Sequence, residues 1–84
     1  MKSAKEHFAD AEQLEEQGKY KDAIAALDKA IFKDKRFLGA YIIRGSDKSA
    51  LGDYKGAIED YMKVTAVDPK NTLAFFNIGN NYKR

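Results

Sequence analysis

The stretch LGDYKGAIEDYMKVTAVDP, residues 51–69, contains a Gly-Asp turn, an apolar pattern with helical spacing and an Asp-Pro ending. It is close to a copy of QGKYKDAIAALDKAIFKDK, residues 17–35. A shift of 34 residues aligns the two without a gap and gives these identities: Gly18 with Gly52, Tyr20 with Tyr54, Lys21 with Lys55, Ala23 with Ala57, Ile24 with Ile58, Lys29 with Lys63 and Asp34 with Asp68. A fixed period of this length is typical of stacked structural repeats.

Each unit is predicted to hold two helices joined by a short turn. In the first unit, helix 4–17 begins with the capping box of Ser3 and Glu6, and Gly18 supplies the turn into helix 20–33. The second unit is predicted to repeat this helix pair over 38–51 and 54–67, and Pro69 prevents the second of these helices from continuing. A further shift of 34 residues predicts a last helix from Thr72 to about residue 82. No strand pattern competes, so the sequence predicts an all-α fold of about five helices.

Composition favours one small helical domain. The chain has 84 residues, 44% of them hydrophobic and 33% charged, and it has no cysteine for a disulfide or a thiolate metal site. Its net charge of +2 and scattered basic residues argue against a nucleic-acid partner. No apolar run reaches the roughly 20 residues that span a bilayer, and the first residues do not form a secretory signal. These features predict a cytoplasmic location.

The repeated pattern resembles the tetratricopeptide repeat (TPR) family, whose 34-residue unit follows W-x2-L-G-x2-Y, then A-x3-F, then P. The second unit matches the later part, with Gly45 in place and Ala57, Tyr61 and Pro69 at the family's positions. The third unit matches the earlier part as Phe75-x2-Ile78-Gly79-x2-Tyr82. The resemblance implies a short right-handed superhelical solenoid formed by repeat 1 (4–37), repeat 2 (38–71) and a terminal helix (72–84), all in one domain 1–84.

Members of the family bind peptides or protein segments on a concave face lined by the first helix of each unit. Carried over by position, the resemblance implies a partner-binding groove formed by Lys5, Phe8, Glu12, Glu15, Ile42, Ile43, Ser46, Ser49, Leu73, Phe76, Asn77 and Asn80. The positions of the family's basic clamp for carboxylate tails hold no cation here, and Glu12 would repel a carboxylate. Arg44 and Lys48 replace the family's Leu and Tyr, and we expect their stems to cover apolar neighbours while their charges stay in water.

Catalysis is not indicated. One histidine, His7, and no cysteine leave no pair of nucleophile and base, and the carboxylates show no spacing typical of a metal site. We therefore expect no catalytic residue, no metal and no cofactor. An alternative to partner binding is a structural role, in which the chain self-associates. The predicted last helix has more apolar residues than one buried side needs, so we expect another copy, a swapped helix or a continuation of the chain to cover Phe75, Ile78 and Tyr82. For an isolated chain the symmetric choice is a homodimer through this face.

Overall fold

The computed structural model describes residues 1–70 as four consecutive α-helices. They are α1 (Ala4–Glu16), α2 (Tyr20–Lys33), α3 (Leu38–Ala50) and α4 (Tyr54–Val67). The predicted helices are confirmed, except that α1 and α3 each end one residue earlier than the sequence suggested, with Gln17 and Leu51 as the capping residues. The predicted helix over 72–84 lies outside the described residues.

Local sequence explains where these helices begin and end. The Ser3 hydroxyl accepts a hydrogen bond from the Glu6 amide at 3.2 Å, and the Glu6 carboxylate accepts one from the Ser3 amide at 3.0 Å. This reciprocal pair is the predicted capping box. Gly18 and Gly52 have φ angles of +74° and +85°, the left-handed conformation that glycine adopts at low cost. The start of α1 and the ends of α1 and α3 are therefore determined by short-range sequence features.

The two glycine turns share one hydrogen-bond pattern. The amides of Lys19 and Asp53 donate to carbonyls five residues earlier, at 2.9 Å and 2.8 Å. The glycine amides donate to carbonyls three residues earlier, at 2.9 Å and 3.0 Å. This is the Schellman arrangement, which satisfies carbonyls that the end of a helix leaves free. Each turn reverses the chain, so that α2 packs on α1 and α4 packs on α3.

The core lies between the paired helices, and α2 joins the two hairpins by packing on α3 as well as on α1. Leu27 and Val64 are fully buried on the second helices, and small side chains fill the narrow contacts. At Gly45 a Cβ atom would lie 2.8 Å from Cε1 of Tyr61, so only glycine lets α3 approach α4 this closely. The consecutive packing of hairpins gives an all-helical, solenoid-like architecture.

Candidate binding groove

The first part of the predicted groove lies on α1. Lys5 and Glu12 are exposed, whereas Phe8 and Glu15 are half-buried. The Phe8 ring stacks on Phe37, which directly precedes α3, with 4.8 Å between the ring centroids and 22° between the planes. This contact joins the first helix of one hairpin to the start of the next. Because one face of the Phe8 ring packs on Phe37, only part of the Phe8 surface is available to a partner.

The second part lies on α3. Ser46 is exposed, and Ser49 is half-buried. Ile42 and Ile43 are also half-buried and pack against the hydrophobic core with part of their surface free. The first helix of each hairpin therefore carries partly accessible apolar side chains, and exposed polar groups lie on the same two helices.

The remaining predicted site residues are not placed by the structure. Those assigned to the groove are Leu73, Phe76, Asn77 and Asn80, and those assigned to the self-association face are Phe75, Ile78 and Tyr82. All seven lie outside the described residues.

A buried acidic pair occurs on the two first helices, and sequence reasoning missed it. The Asp47 side chain is fully buried, and neither of its oxygens has a hydrogen-bond partner within the described part of the chain. Oε2 of Glu15 is buried without a partner among the same residues. Burial is the larger cause and the nearby Glu15 carboxyl the smaller one, and together they raise the pKa of Asp47 to about 8. Near neutral pH the Asp47 carboxyl is therefore mostly protonated in the folded protein.

Helical spacing contains the signal that could have revealed Asp47. Ala40, Arg44 and Asp47 are separated by four and three residues, which places them on one stripe of α3. Ala40 is fully buried, so a residue one turn beyond Arg44 on that stripe is expected to face the protein. The flanking Arg44 and Lys48 make the segment look solvated when only sequence is considered.

The expectation that Arg44 and Lys48 keep their charges in water is wrong. The Arg44 side chain is 15% exposed, and its guanidinium donates two hydrogen bonds to Asp60 on α4, at 2.9 Å and 2.7 Å. A third hydrogen bond, at 2.8 Å, reaches Asp28 on α2. Lys48 pairs with the same Asp60 at 3.2 Å.

These contacts form a charged cluster between three helices. Its central carboxylate, on Asp60, is only 2% exposed, so the charge needs these partners in order to be buried. The hydrogen bonds that Arg44 donates to Asp60 keep the pKa of Arg44 above its usual value, because they favour the charged form of the guanidinium. The cluster therefore joins the two hairpins through α3.

The family comparison agrees with the geometry of paired helices. Residues 45–84 match the family model described as the TPR repeat. Residues 45–84 of the chain belong to the tetratricopeptide repeat family. The FK506-binding protein-like protein of Mus musculus is 39% identical over 57 residues, which is 68% of this chain. The matched region is only 16% of the length of the mouse protein. TPR domains are generally modules of protein–protein interaction without a catalytic role.

The TPR assignment explains the positions that depart from the family pattern. At the position of the family's Leu, Arg44 replaces an apolar contact between helices with a bidentate ion pair, and Asp60 supplies the matching charge from α4. Gly45 keeps its family role, because its missing side chain accommodates the Tyr61 ring. This TPR unit therefore retains close helix contact while using charge at a site that is apolar in the family pattern.

Two further findings concern the described residues alone. Within residues 1–70, no three His, Asp or Glu side chains are grouped so that they could hold a metal ion. None of the helices α1 to α4 is long and apolar enough to cross a membrane.

Proposed function

We propose that the chain binds a peptide or protein segment along the first helices of its repeats, α1 and α3. The observation that carries this proposal is that half-buried Phe8, Ile42 and Ile43 lie on the same two helices as the exposed Glu12 and Ser46. Partly buried apolar side chains on rigid helices offer contact area at little cost in conformational entropy. Neighbouring polar groups then orient the bound segment and limit which sequences fit.

The position of Phe8 supports a preformed groove. Its ring is held against Phe37, so the aromatic surface next to α1 has one orientation before a partner arrives. Ile42 and Ile43 are likewise anchored, because they pack against the core. A groove whose side chains are already ordered loses less entropy on binding than a mobile surface does. The remaining predicted groove positions, on residues 73–80, would extend the same surface.

The test uses peptides selected from a random phage-displayed library on the immobilised chain, with affinities then measured by fluorescence anisotropy. Glu12→Arg reverses one exposed charge on α1 and adds bulk at the groove. Glu59→Arg makes the same substitution at an exposed position of α4 and is the matched control. We expect Glu12→Arg to change the affinity of groove-binding peptides by roughly tenfold, as expected for a changed charge at an interface, and the control to change it less than about twofold.

The outcome that contradicts the groove proposal is equally specific. If every selected peptide binds the two variants with the same affinity, the segment does not contact α1 near residue 12. If no peptide binds the folded parent chain, the proposed module does not recognise short segments. Circular dichroism of both variants verifies that any change in affinity is not a loss of helix.

A further inference from the structure

A second surface lies at the edge of the domain where α3 begins and α4 ends. A cavity of about 550 Å³ opens there, and it has no lining residue in common with the predicted groove. Apolar side chains form much of its lining, and three cations line it as well. The complete lining is Lys35, Arg36, Leu38, Tyr41, Lys63, Ala66 and Val67. We call this cavity the edge notch.

Within residues 1–70, the three cations of the edge notch form no ion pair with an acidic side chain. None of the ion pairs among residues 1–70 includes Lys35, Arg36 or Lys63. Nζ of Lys63 lies 5.4 Å from the centroid of the Tyr41 ring, over its aromatic face. The nearest contact of Arg36 with an acid uses its backbone amide, which donates to Asp34 at 3.0 Å and leaves the guanidinium out of that bond.

The apolar part of the notch is both shaped and accessible. The Tyr41 hydroxyl donates a hydrogen bond to the Lys35 carbonyl at 3.1 Å, which fixes the loop before α3 against that helix. Tyr41 itself is buried, whereas Val67 at the end of α4 is 71% exposed. A partner therefore meets a fixed aromatic wall on one side and an uncovered aliphatic side chain on the other. Burial of such apolar surface favours binding.

An equivalent notch exists one repeat earlier. Six of its lining residues are 34 positions before residues of the edge notch: Met1, Lys2, His7, Lys29, Phe32 and Lys33. This first notch has a volume of about 400 Å³, and Phe32 beside it is 82% exposed. It is partly neutralised, because Asp28 also lines it and Lys2 pairs with Asp10. Both repeats thus present basic, partly apolar notches, and the second has the larger uncompensated charge.

We propose that the edge notch binds an acidic protein segment whose apolar side chains enter between α3 and α4. The three cations, which form no ion pair within residues 1–70, give charge complementarity to Asp and Glu side chains, and the apolar lining gives contact area. Pockets that hold small ligands or single side-chain groups have volumes of about 300–1,000 Å³, a range that includes this notch. A concave site of this size fits a projecting side chain better than the flat surface of a lipid bilayer.

The experiment measures binding of a fluorescein-labelled, acetylated and amidated ten-residue peptide that alternates acidic residues with leucine or phenylalanine. Two further peptides replace the acids by lysine or the apolar residues by serine. The edge variant is Lys35→Gln, Arg36→Gln and Lys63→Gln. The matched control removes the same charge from three exposed lysines near the beginnings of α2 and α4: Lys19→Gln, Lys21→Gln and Lys55→Gln.

We expect the edge variant to weaken binding of the acidic, apolar peptide roughly tenfold at low salt and the control to weaken it less than about twofold. Each altered peptide should also bind more weakly to the parent chain. Val67→Ser should weaken binding of the acidic, apolar peptide but not of its serine counterpart. Circular dichroism checks that each variant keeps its helices.

Several results would overturn the proposal. Equal weakening in the edge and control variants would show a non-specific attraction of charges. Equal affinity of the parent chain for the acidic and basic peptides would show that the three cations do not contribute to binding. Absence of binding by the parent chain at millimolar peptide would reject the site. If vesicles of phosphatidylglycerol and phosphatidylcholine bind through the same three cations while the peptide does not, the edge contacts a membrane and the assignment to a protein segment is wrong.

Discussion

Replacing Asp47 by asparagine should stabilise the protein, and the gain should grow as the pH rises. Asp47 is fully buried beside Glu15 on α1, and these two conditions raise its pKa to about 8 from a reference value of 3.8. Between these values the folded state holds a proton that the unfolded state has released. Unfolding therefore releases a proton, and the free energy of unfolding falls as the pH rises.

The size of the effect follows from the linkage between proton binding and folding. One pKa unit corresponds to about 1.4 kcal/mol, so the full difference of about four units gives an upper limit near 6 kcal/mol. Entry of water and rearrangement of the two carboxyl groups reduce this value. Between about pH 6 and pH 8 the titration of Asp47 should lower the free energy of unfolding by about 2 kcal/mol, a large part of the total for a domain of this size.

The assay is urea denaturation of the parent and of Asp47→Asn, followed by far-UV circular dichroism at several pH values. Asparagine has nearly the same shape and carries no charge, and its amide group can donate a hydrogen bond to an oxygen of Glu15. The variant should gain about 2 kcal/mol over the parent between about pH 6 and pH 8. Glu15→Gln should give a smaller gain, because burial, the larger cause of the raised pKa of Asp47, remains. Asp22→Asn, at an exposed position of α2, is the control and should show no such trend.

The reasoning would be refuted if the stability difference between Asp47→Asn and the parent stayed constant over this pH range. That result would mean that Asp47 has the same ionisation in the folded and unfolded states. A loss of stability in the variant at every pH would mean instead that the ionised carboxylate has partners that favour it. The comparison is independent of other groups that titrate near neutrality, because they are present in both proteins.

Three further predictions concern the turns, the charged cluster and the last helix. Asp60→Ala should lower the free energy of unfolding, measured by urea denaturation, by about 2–4 kcal/mol, because it leaves Arg44 and Lys48 without their buried partner. Asp28→Ala should lower it by under about 1 kcal/mol. Equal losses in the two variants would contradict the central role of Asp60. Gly52→Val should lower the melting temperature by about 5 °C or more through left-handed strain, and an unchanged melting temperature would contradict that cause. Sedimentation of the parent at hundreds of micromolar should show dimers that Ile78→Glu dissociates, and a monomeric parent would reject the predicted face.

The sequence predicted most of the fold because the signals for each helix are local or periodic. Ser3 and Glu6 are three residues apart, and the turn glycines adopt a left-handed conformation that glycine reaches at low cost. The 34-residue period then repeats the same hairpin, so that the packing of one unit implies the packing of the next. The two helix ends that differ by one residue depend on hydrogen bonds in the final turn, which the sequence does not resolve.

The candidate groove was predicted less completely, because its residues were assigned by position in a family pattern. Phe8 and Ile42 do lie on the first helices, but the amount of surface each offers depends on neighbours. The sequence does not indicate that Phe37 stacks on Phe8, since the two are far apart along the chain. The edge notch was not predicted either, because its lining combines the loop before α3 with the end of α4.

The sequence by itself determined the helices, their turns and the repeated hairpin, through caps, glycines and an unbroken period. Only the tertiary structure decided which charges are buried. Arg44 reaches Asp60 and Asp28, each 16 residues away, across two different helix contacts, and Asp47 meets Glu15 across the junction between repeats. The energy of a charge depends on its solvent exposure and on the charges near it in space. Both depend on how separate helices pack, and local sequence leaves both undetermined.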